Sequence, residues 1–406
     1  MKKALAAAAI FAGALSIGPL RRRLEERWPP WLRPALLNGT ARYREFTRLA
    51  SQQESNGALD PLVQSALEQD LQQPEGGTLG ELLMLVGDLE QNSLDFARLD
   101  PETVTRFQEL WEAYIDIEAA LRRPVFSLPE FDLNGPRDGA TMFASRVYWV
   151  RRLYFSLTHL TRYLAMNGER TEAAQVLETL LLWSKSGLRT PNPLALPAFK
   201  GLQGRVLRLL AEPWALQALA TRGGWDALSR FLLECSAGGQ GYLRALEVQM
   251  AWTWEQQRHT GHILETVLGA SRAFRRRQIL GLGHVWQRAL EGEPPLKEWT
   301  RLASYCDLQG TNRTHFGFDF HHAVLIGLST VATLTHLHKT TGAFPLTFPQ
   351  VDGYDAGDRT ARFSIRLPHE SRYPEAKPYP PWPRDGRIAF KNGRVFFRWS
   401  VDDFSQ

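Results

Sequence analysis

The sequence predicts a mainly α protein, an irregular array of helical hairpins that ends in a small antiparallel β hairpin or three-stranded sheet. Three observations favour this fold class. Apolar residues recur at helical spacing from about residue 62 to residue 338. Gly and Pro interrupt this pattern at intervals that suit ordinary helices. After residue 341 prolines cluster, and the period-2 patterns that are typical of strands begin.

The chain begins with an apolar segment between two groups of cations. Lys2 and Lys3 precede residues 4–20, which carry no charge, and three arginines follow at residues 21–23. This is the layout of an export signal. We therefore interpret residues 1–27 as a signal or membrane-anchor segment.

The sequence leaves two forms of this segment open. Cleavage after the Ala-Gly-Ala of residues 12–14 would start the mature chain near Leu15. An uncleaved anchor is favoured by the arginines, which would hinder translocation of a new amino terminus, although residues 4–20 are short for a bilayer span. A buried first helix is disfavoured, because the segment has no polar face. We expect the body outside the cytoplasm, at the bacterial cell envelope.

Charge divides the helical body into two sections, residues 28–123 and residues 124–340. Residues 51–120 contain 15 Asp or Glu against two Arg, whereas residues 121–290 contain 22 Lys or Arg against 12 Asp or Glu. The first section is therefore acidic and the second basic. We expect the two sections either to pack on each other or to face different partners.

The acidic section ends in the best-marked helix of the sequence. Asp100 is an N-cap candidate, and Pro101 suits the first helical position. Apolar residues then recur at helical spacing up to Ile115, and Pro124 ends the pattern. We expect one amphipathic helix here.

The basic section has the pattern of helical hairpins. A long amphipathic run covers residues 142–166 and stops at Gly168, and a second run stops at Gly223; small residues follow both glycines. Small residues let paired helices approach closely, as in TPR-like or α-solenoid-like arrays. Further helices are expected over residues 196–220, 225–235, 242–258, 264–289 and 318–338.

Residues 341–406 form a Pro-rich tail with the strongest strand signals. Asn392-Gly393 separates two alternating runs, and this dipeptide supplies positive φ at both positions of a hairpin turn. We expect a β hairpin over residues 387–399. Residues 361–367 also alternate and are predicted as a third strand.

Two stretches of the sequence carry a resemblance to known proteins. They are RYLAMNG at residues 162–168, followed by Glu172-Ala-Ala, and LTHLHKTTGAFP at residues 334–345. With them, the chain resembles a broad group of uncharacterised bacterial proteins that have an amino-terminal membrane segment, a body of helical hairpins and a short β tail after a tGxFP turn. The resemblance implies this architecture and an envelope location. It brings no catalytic residues.

The histidine-rich run before residue 340 is the strongest metal candidate. His315, Asp319 and His322 lie on nearly one face if the segment is one helix, with His321 as the alternative to His322, and imidazole with carboxylate can bind zinc. The other interpretation is hydrogen bonding between helices by neutral histidines, which we favour. A second HxxH pattern, formed by His259 and His262, lacks the glutamate of a metalloprotease helix. We expect no metal and no other cofactor.

Two pairs of carboxylates are the candidates for catalysis. Glu112 and Asp116 are four residues apart on a predicted helix, and Glu130 and Asp132 lie in a loop. Two acids that flank a glycosidic bond, in a chain with 13 Trp that can stack on sugars, would suit an exported α/α-toroid-like hydrolase or lyase that processes glycans. We favour the other interpretation, in which the first pair lies on a solvated helix face and the second pair in a solvated loop.

The remaining motifs exclude some classes of partner. The basic cluster at residues 275–277 lacks the aromatic context of a nucleic-acid site, and no glycine-rich phosphate loop is present, so we expect neither nucleic acid nor nucleotide as a partner. Cys235 and Cys306 allow one disulfide at most. We therefore expect a non-enzymatic scaffold at the cell envelope that binds a protein partner. The glycan-processing enzyme is the alternative.

Overall fold

The structure is a computed structural model. It describes residues 30, 32–51, 96–123, 139–189, 195–236, 243–244, 246–248, 250–251, 280–281, 283–284, 286–287, 311–367 and 387–404. The chain divides into two compact units. The smaller unit comprises Met1–Glu45, Asp132–Asn134 and Leu243–Thr311, and the larger unit comprises Phe46–Phe131, Gly135–Tyr242 and Asn312–Gln406. The predicted anchor at residues 4–20 lies outside the described residues and stays a prediction.

In the smaller unit, helix α1 (Leu32–Ser51, up to Glu45) packs closely against the helical residues near Glu247. Gly39 makes this approach possible, because a Cβ at that position would lie 2.1 Å from the backbone oxygen of Glu247. The Arg42 Nε donates a hydrogen bond of 2.6 Å to the buried carboxylate of Glu247. The ion pair compensates for the cost of burying that charge.

The larger unit contains seven long helices among its described residues. They are α2 (Pro101–Leu121), α3 (Gly139–Met166), α4 (Arg170–Arg189), α5 (Ala195–Leu210), α6 (Pro213–Gly223), α7 (Trp225–Cys235) and α8 (Thr311–Thr341, from Asn312 onwards). Helix α4 packs against α2, α3, α5, α6 and α7, and its apolar side chains are almost fully buried. The prediction of a mainly helical protein is therefore confirmed.

Local sequence signals explain where these helices begin and end. The Thr103 N–H donates to Asp100 Oδ1 at 2.9 Å, which makes Asp100 the N-cap of α2, as predicted. Gly168 ends α3 with φ of 85°, and the next N–H, of Glu169, bonds to the Leu164 carbonyl as in a Schellman motif.

One helix boundary differs from the prediction. We expected helices over residues 196–220, and the structure has α5 and α6 there, with a break before Pro213 and an end at Gly223. Proline has no N–H and favours the first helical position, so it starts α6 there. In the turn between α6 and α7, Gly224 has a positive φ of 83°.

The C-terminal tail folds into a four-stranded antiparallel sheet. The strands are β1 (Asp352–Ala356), β2 (Thr360–Arg366), β3 (Ile388–Lys391) and β4 (Arg394–Ser400), in the spatial order β1-β2-β4-β3. The Asn392-Gly393 turn has φ of 52° and 70°, which confirms the predicted hairpin. The prediction of at most three strands is wrong. It missed β1, whose sequence DGYDA has no apolar alternation.

Helix α8 lies between the sheet and the other helices of the larger unit. The ring of Phe397 on β4 packs on Gly327, and Phe320 meets Phe390 of β3 edge to face. On its other side, Ser329 and Thr333 each lie 2.8 Å from the Ser229 hydroxyl of α7. Residues Gly317–Thr341 are the described segment that is long and apolar enough to cross a membrane, and 72% of the apolar window is buried. The core helix of a soluble protein passes the same test.

Candidate functional site

The outward face of the C-terminal sheet concentrates the basic residues of the tail. Strand β4 alternates between buried and outward residues, and β2 does so except at Ser364, which lies on the outward side but is buried. The inward residues are buried on the core side: Ala361, Phe363, Ile365, Val395, Phe397 and Trp399. We call the outward set the arginine face: Arg362, Ser364, Arg366, Arg394, Phe396 and Arg398.

The strand register sets arginine opposite arginine. Arg362 pairs with Arg398, and Arg366 pairs with Arg394. Like charges directly opposite each other on a sheet destabilise it. The pairs are four residues apart along the strands, which is about 13 Å at about 3.3 Å per residue. Two doubly cationic positions therefore lie at the ends of the arginine face.

A depression of about 400 Å³ lies between the two arginine pairs. Ser364 forms its floor and is only 3% exposed, and its hydroxyl donates to the Asp352 carbonyl at 3.2 Å. Beside it Gly353 has no Cβ, and Phe396 forms an apolar wall that is 40% exposed. The depression is thus apolar at its centre and cationic at its ends.

At the β1 margin of the arginine face an acidic residue contacts an arginine. Asp352 Oδ2 lies 3.7 Å from Arg394 Nη1, an exposed contact that contributes little stability. Asp355 is the register partner of Arg362, but neither Arg362 nor Arg398 makes an ion pair in the described part of the chain.

Other arginines next to the sheet do form ion pairs with carboxylates. Arg387 lies 3.1 Å from Asp403, and Arg359 pairs with Asp402. Carboxylates close to the sheet therefore pair with arginines that lie outside the arginine face.

A second polar cluster lies in the core between α5 and α8. The Nδ1 of His321 lies 3.2 Å from Gln203 Oε1, so a neutral imidazole can donate to the amide. Burial, with the charges of Lys200 and Arg208, lowers the pKa of His321 to about 3. Burial also lowers the pKa of Lys200 to about 7. Because Gln203, His321 and the neighbouring Asp319 are almost inaccessible to solvent, the cluster offers no surface to a substrate.

The structure describes only some of the residues that were predicted as metal ligands. Asp319 is buried on α8, and His322 is half-buried with a pKa that burial lowers. The side chain of His315 lies outside the described residues, as do His259 and His262. Among the residues that the structure describes, no group of three or more His, Cys, Asp or Glu is placed to hold a metal ion.

The predicted catalytic acids do not form a site in the described parts of the chain. Glu112 and Asp116 are exposed on α2. Glu130 and Asp132 lie outside the described residues, together with the basic cluster at 275–277 and Cys306. Cys235 is buried at the end of α7, and its pairing with Cys306, which the sequence left open, is not tested by the described residues.

The arginine face was not predicted from the sequence. Its signal is the spacing of arginines by four residues in ARFSIRL and in RVFFRWS, which places Arg362, Arg366, Arg394 and Arg398 on one side of two strands. The pattern alone does not reveal that β2 and β4 are neighbours, and only their register brings the four guanidinium groups together.

Fold and site together define a mainly helical protein with a small antiparallel sheet whose outward face is basic. Comparison of the chain with protein-family models finds no match. Comparisons with curated proteins and with solved structures also find none. The functional conclusion therefore rests on the geometry of the arginine face.

Proposed function

We propose that the protein is a non-enzymatic binding scaffold that docks an acidic segment of a protein partner on its arginine face. The observation that carries the proposal is the pair of opposed arginines at each end of a depression with an exposed Phe396. Arginine binds carboxylates through two parallel N–H···O bonds, and arginine and aromatic residues dominate the energy of protein interfaces.

The electrostatic repulsion between the opposed arginines supports a binding role. Directly opposed like charges lower the stability of a sheet, and Arg362 and Arg398 have no ion-pair partner in the described part of the chain. A partner that supplies carboxylates removes this repulsion when it binds. The gain on binding is therefore larger than for the same arginines in isolation.

The rest of the chain fits a scaffold at the cell envelope. The three-residue turn at residues 167–169 and the tight turn at Gly224 connect helices that pack on each other, which supports a TPR-like arrangement of α3 to α7. Residues 4–20, flanked by cations, are the proposed anchor or export signal. In this proposal the anchor locates the scaffold and the arginine face recruits the partner.

The glycan-processing alternative gains no support from the described acids. It needs two carboxylates about 5–10 Å apart in a cleft, whereas Glu112 and Asp116 are exposed on α2. Loss of glycan hydrolysis on mutation of Glu130 and Asp132 would be the result that favours it.

The experiment measures binding of a fluorescein-labelled decaglutamate peptide to the full-length chain in mild detergent by fluorescence anisotropy. Arg362→Ser/Arg398→Ser should weaken binding by about tenfold or more, because it removes two charge-assisted contacts. The matched control, Arg106→Ser/Arg230→Ser, removes two partly or largely exposed arginines from α2 and α7 and should change binding less than about twofold.

Two results would overturn the proposal. One is equal binding by the face variant and the control variant. The other is displacement of the peptide by a single-stranded oligonucleotide at far lower concentration, since stacking on Phe396 with phosphate contacts would then be the better explanation of the face.

A further inference from the structure

The geometry points to a specific ligand pattern: an extended peptide with carboxylates at its first and fifth positions and an apolar side chain at its third. The ligand lies along β2 and β4, with its third residue over the depression between the arginine pairs. This pattern rests on the proposed function, because it specifies the acidic segment that the arginine face would take.

The spacing of the arginine pairs selects an extended ligand. Side chains 1, 3 and 5 of a strand point to the same side, and residues 1 and 5 are about 13 Å apart. Arg362 and Arg366 are separated by the same four-residue step on β2, so each carboxylate meets one arginine pair. On an α-helix, residues four apart rise only about 6 Å, so a helical ligand cannot reach both pairs in this way.

The end of the arginine face at Arg362 and Arg398 offers two guanidinium groups to one carboxylate. Directly opposed side chains on neighbouring strands have Cβ atoms about 5 Å apart. A carboxylate between Arg362 and Arg398 can therefore accept hydrogen bonds from both residues, one through each oxygen. Glutamate suits this better than aspartate, because its longer side chain reaches down from a strand that lies above the sheet.

The depression at the centre accommodates the third ligand residue. Ser364 and Gly353 leave space that larger side chains would fill, and Phe396 supplies an apolar wall. The hydroxyl of Ser364 is already bonded to the Asp352 carbonyl, so the floor presents little unsatisfied polarity to an apolar group. A leucine buried there raises affinity by about tenfold over a serine.

Asp355 is the register partner of Arg362 but forms no ion pair among the described residues, so the two ends are made unequal by Asp352. Its carboxylate lies 3.7 Å from Arg394 and competes with the ligand at that end, whereas Arg362 and Arg398 have no ion pair among the described residues. Asp352→Asn removes the competing charge. We therefore expect this substitution to tighten binding of an acidic peptide, which a merely structural role of Asp352 would not do.

Three isomeric pentapeptides, capped and labelled with fluorescein, test the pattern on the full-length chain. In ESLSE the acids and the leucine point to one side, in ELSSE the leucine points away, and in SELES the acids lie on the side opposite to the leucine. ESLSE should bind about tenfold more tightly than either isomer. Asp352→Asn should improve its affinity severalfold, and Arg362→Ser/Arg398→Ser should reduce the difference between the isomers, because only the other arginine pair and the depression remain.

The outcomes separate the ligand pattern from the proposed function. If the three peptides bind equally and the face variant weakens all of them, the pattern is wrong and the acidic-segment proposal stands. If none of them binds in a way that depends on Arg362 and Arg398, and decaglutamate does not either, both are wrong. Weaker binding to the Asp352→Asn variant would also contradict the pattern.

Discussion

The close packing of α8 on the sheet supports the arginine face from behind, and Gly327 makes it possible. A Cβ at this position would lie 1.9 Å from Cζ and 2.2 Å from Cε2 of Phe397. Ordinary contacts begin near 3.4 Å, so in Gly327→Ala the ring must move by about 1.5 Å. Phe397 is 2% exposed and stacks on Phe363 with centroids 5.0 Å apart, so the ring has little room.

Two opposing contributions set the change in the free energy of unfolding of Gly327→Ala. Forcing an extra methyl into a packed core costs about 1–3 kcal/mol. Replacing Gly by Ala in a helix returns up to about 1 kcal/mol. We expect the free energy of unfolding of Gly327→Ala to be lower than that of the wild type by about 1–2 kcal/mol.

Gly201→Ala is the matched control, because Gly201 is an exposed helical glycine of α5 whose Cβ would meet nothing within 4 Å. It should raise the free energy of unfolding by about 0.5–1 kcal/mol. Urea titration followed by tryptophan fluorescence measures both variants. Phe397→Leu should partly rescue Gly327→Ala, since contacting residues are not additive. If Gly327→Ala were as stable as Gly201→Ala, the packing of α8 on Phe397 would be refuted.

Three further predictions concern single polar groups. Asp100→Ala removes the acceptor of the Thr103 N–H and should lower the unfolding temperature, whereas Asp100→Asn should keep most of it; equal losses would contradict a cap. Because the pKa of His321 is lowered from 6.5 to about 3, the unfolded chain takes up the proton first, and stability should decrease as pH falls through this range. His321→Gln should flatten that decrease in urea titrations, and an unchanged slope would argue against a neutral buried imidazole. Tyr114→Phe removes a hydroxyl 2.9 Å from Thr179 Oγ1 and should lower the urea midpoint by the equivalent of about 1 kcal/mol; an unchanged midpoint would exclude that contribution.

Features that depend on local chemistry were predictable from the sequence. Asp100 before a proline predicts a helix start, and Asn392-Gly393 between alternating runs predicts a hairpin, because each signal acts over a few residues. Strand β1 was missed for the same reason: DGYDA has little strand propensity of its own and pairs irregularly with β2.

Features that depend on contacts between residues far apart in the sequence could not be predicted from local patterns. His321 and Gln203 are 118 residues apart, and nothing local indicates that they meet. The arginine face has the same origin, since each strand alone predicts only an amphipathic edge, and the register of β2 on β4 sets Arg362 opposite Arg398. The candidate site is therefore a property of the tertiary structure, although each strand carries half of its pattern.

The most direct test of the central claim is a charge reversal at one end of the arginine face. The variant Arg362→Glu/Arg398→Glu should lose binding of ESLSE by about a hundredfold, because attraction becomes repulsion at this end of the arginine face. It should gain binding of KSLSE, which the wild-type protein binds poorly, and both effects should weaken at high salt. If the reversed variant binds ESLSE as tightly as the wild type does, the arginine pairs do not hold the carboxylates and the account is wrong.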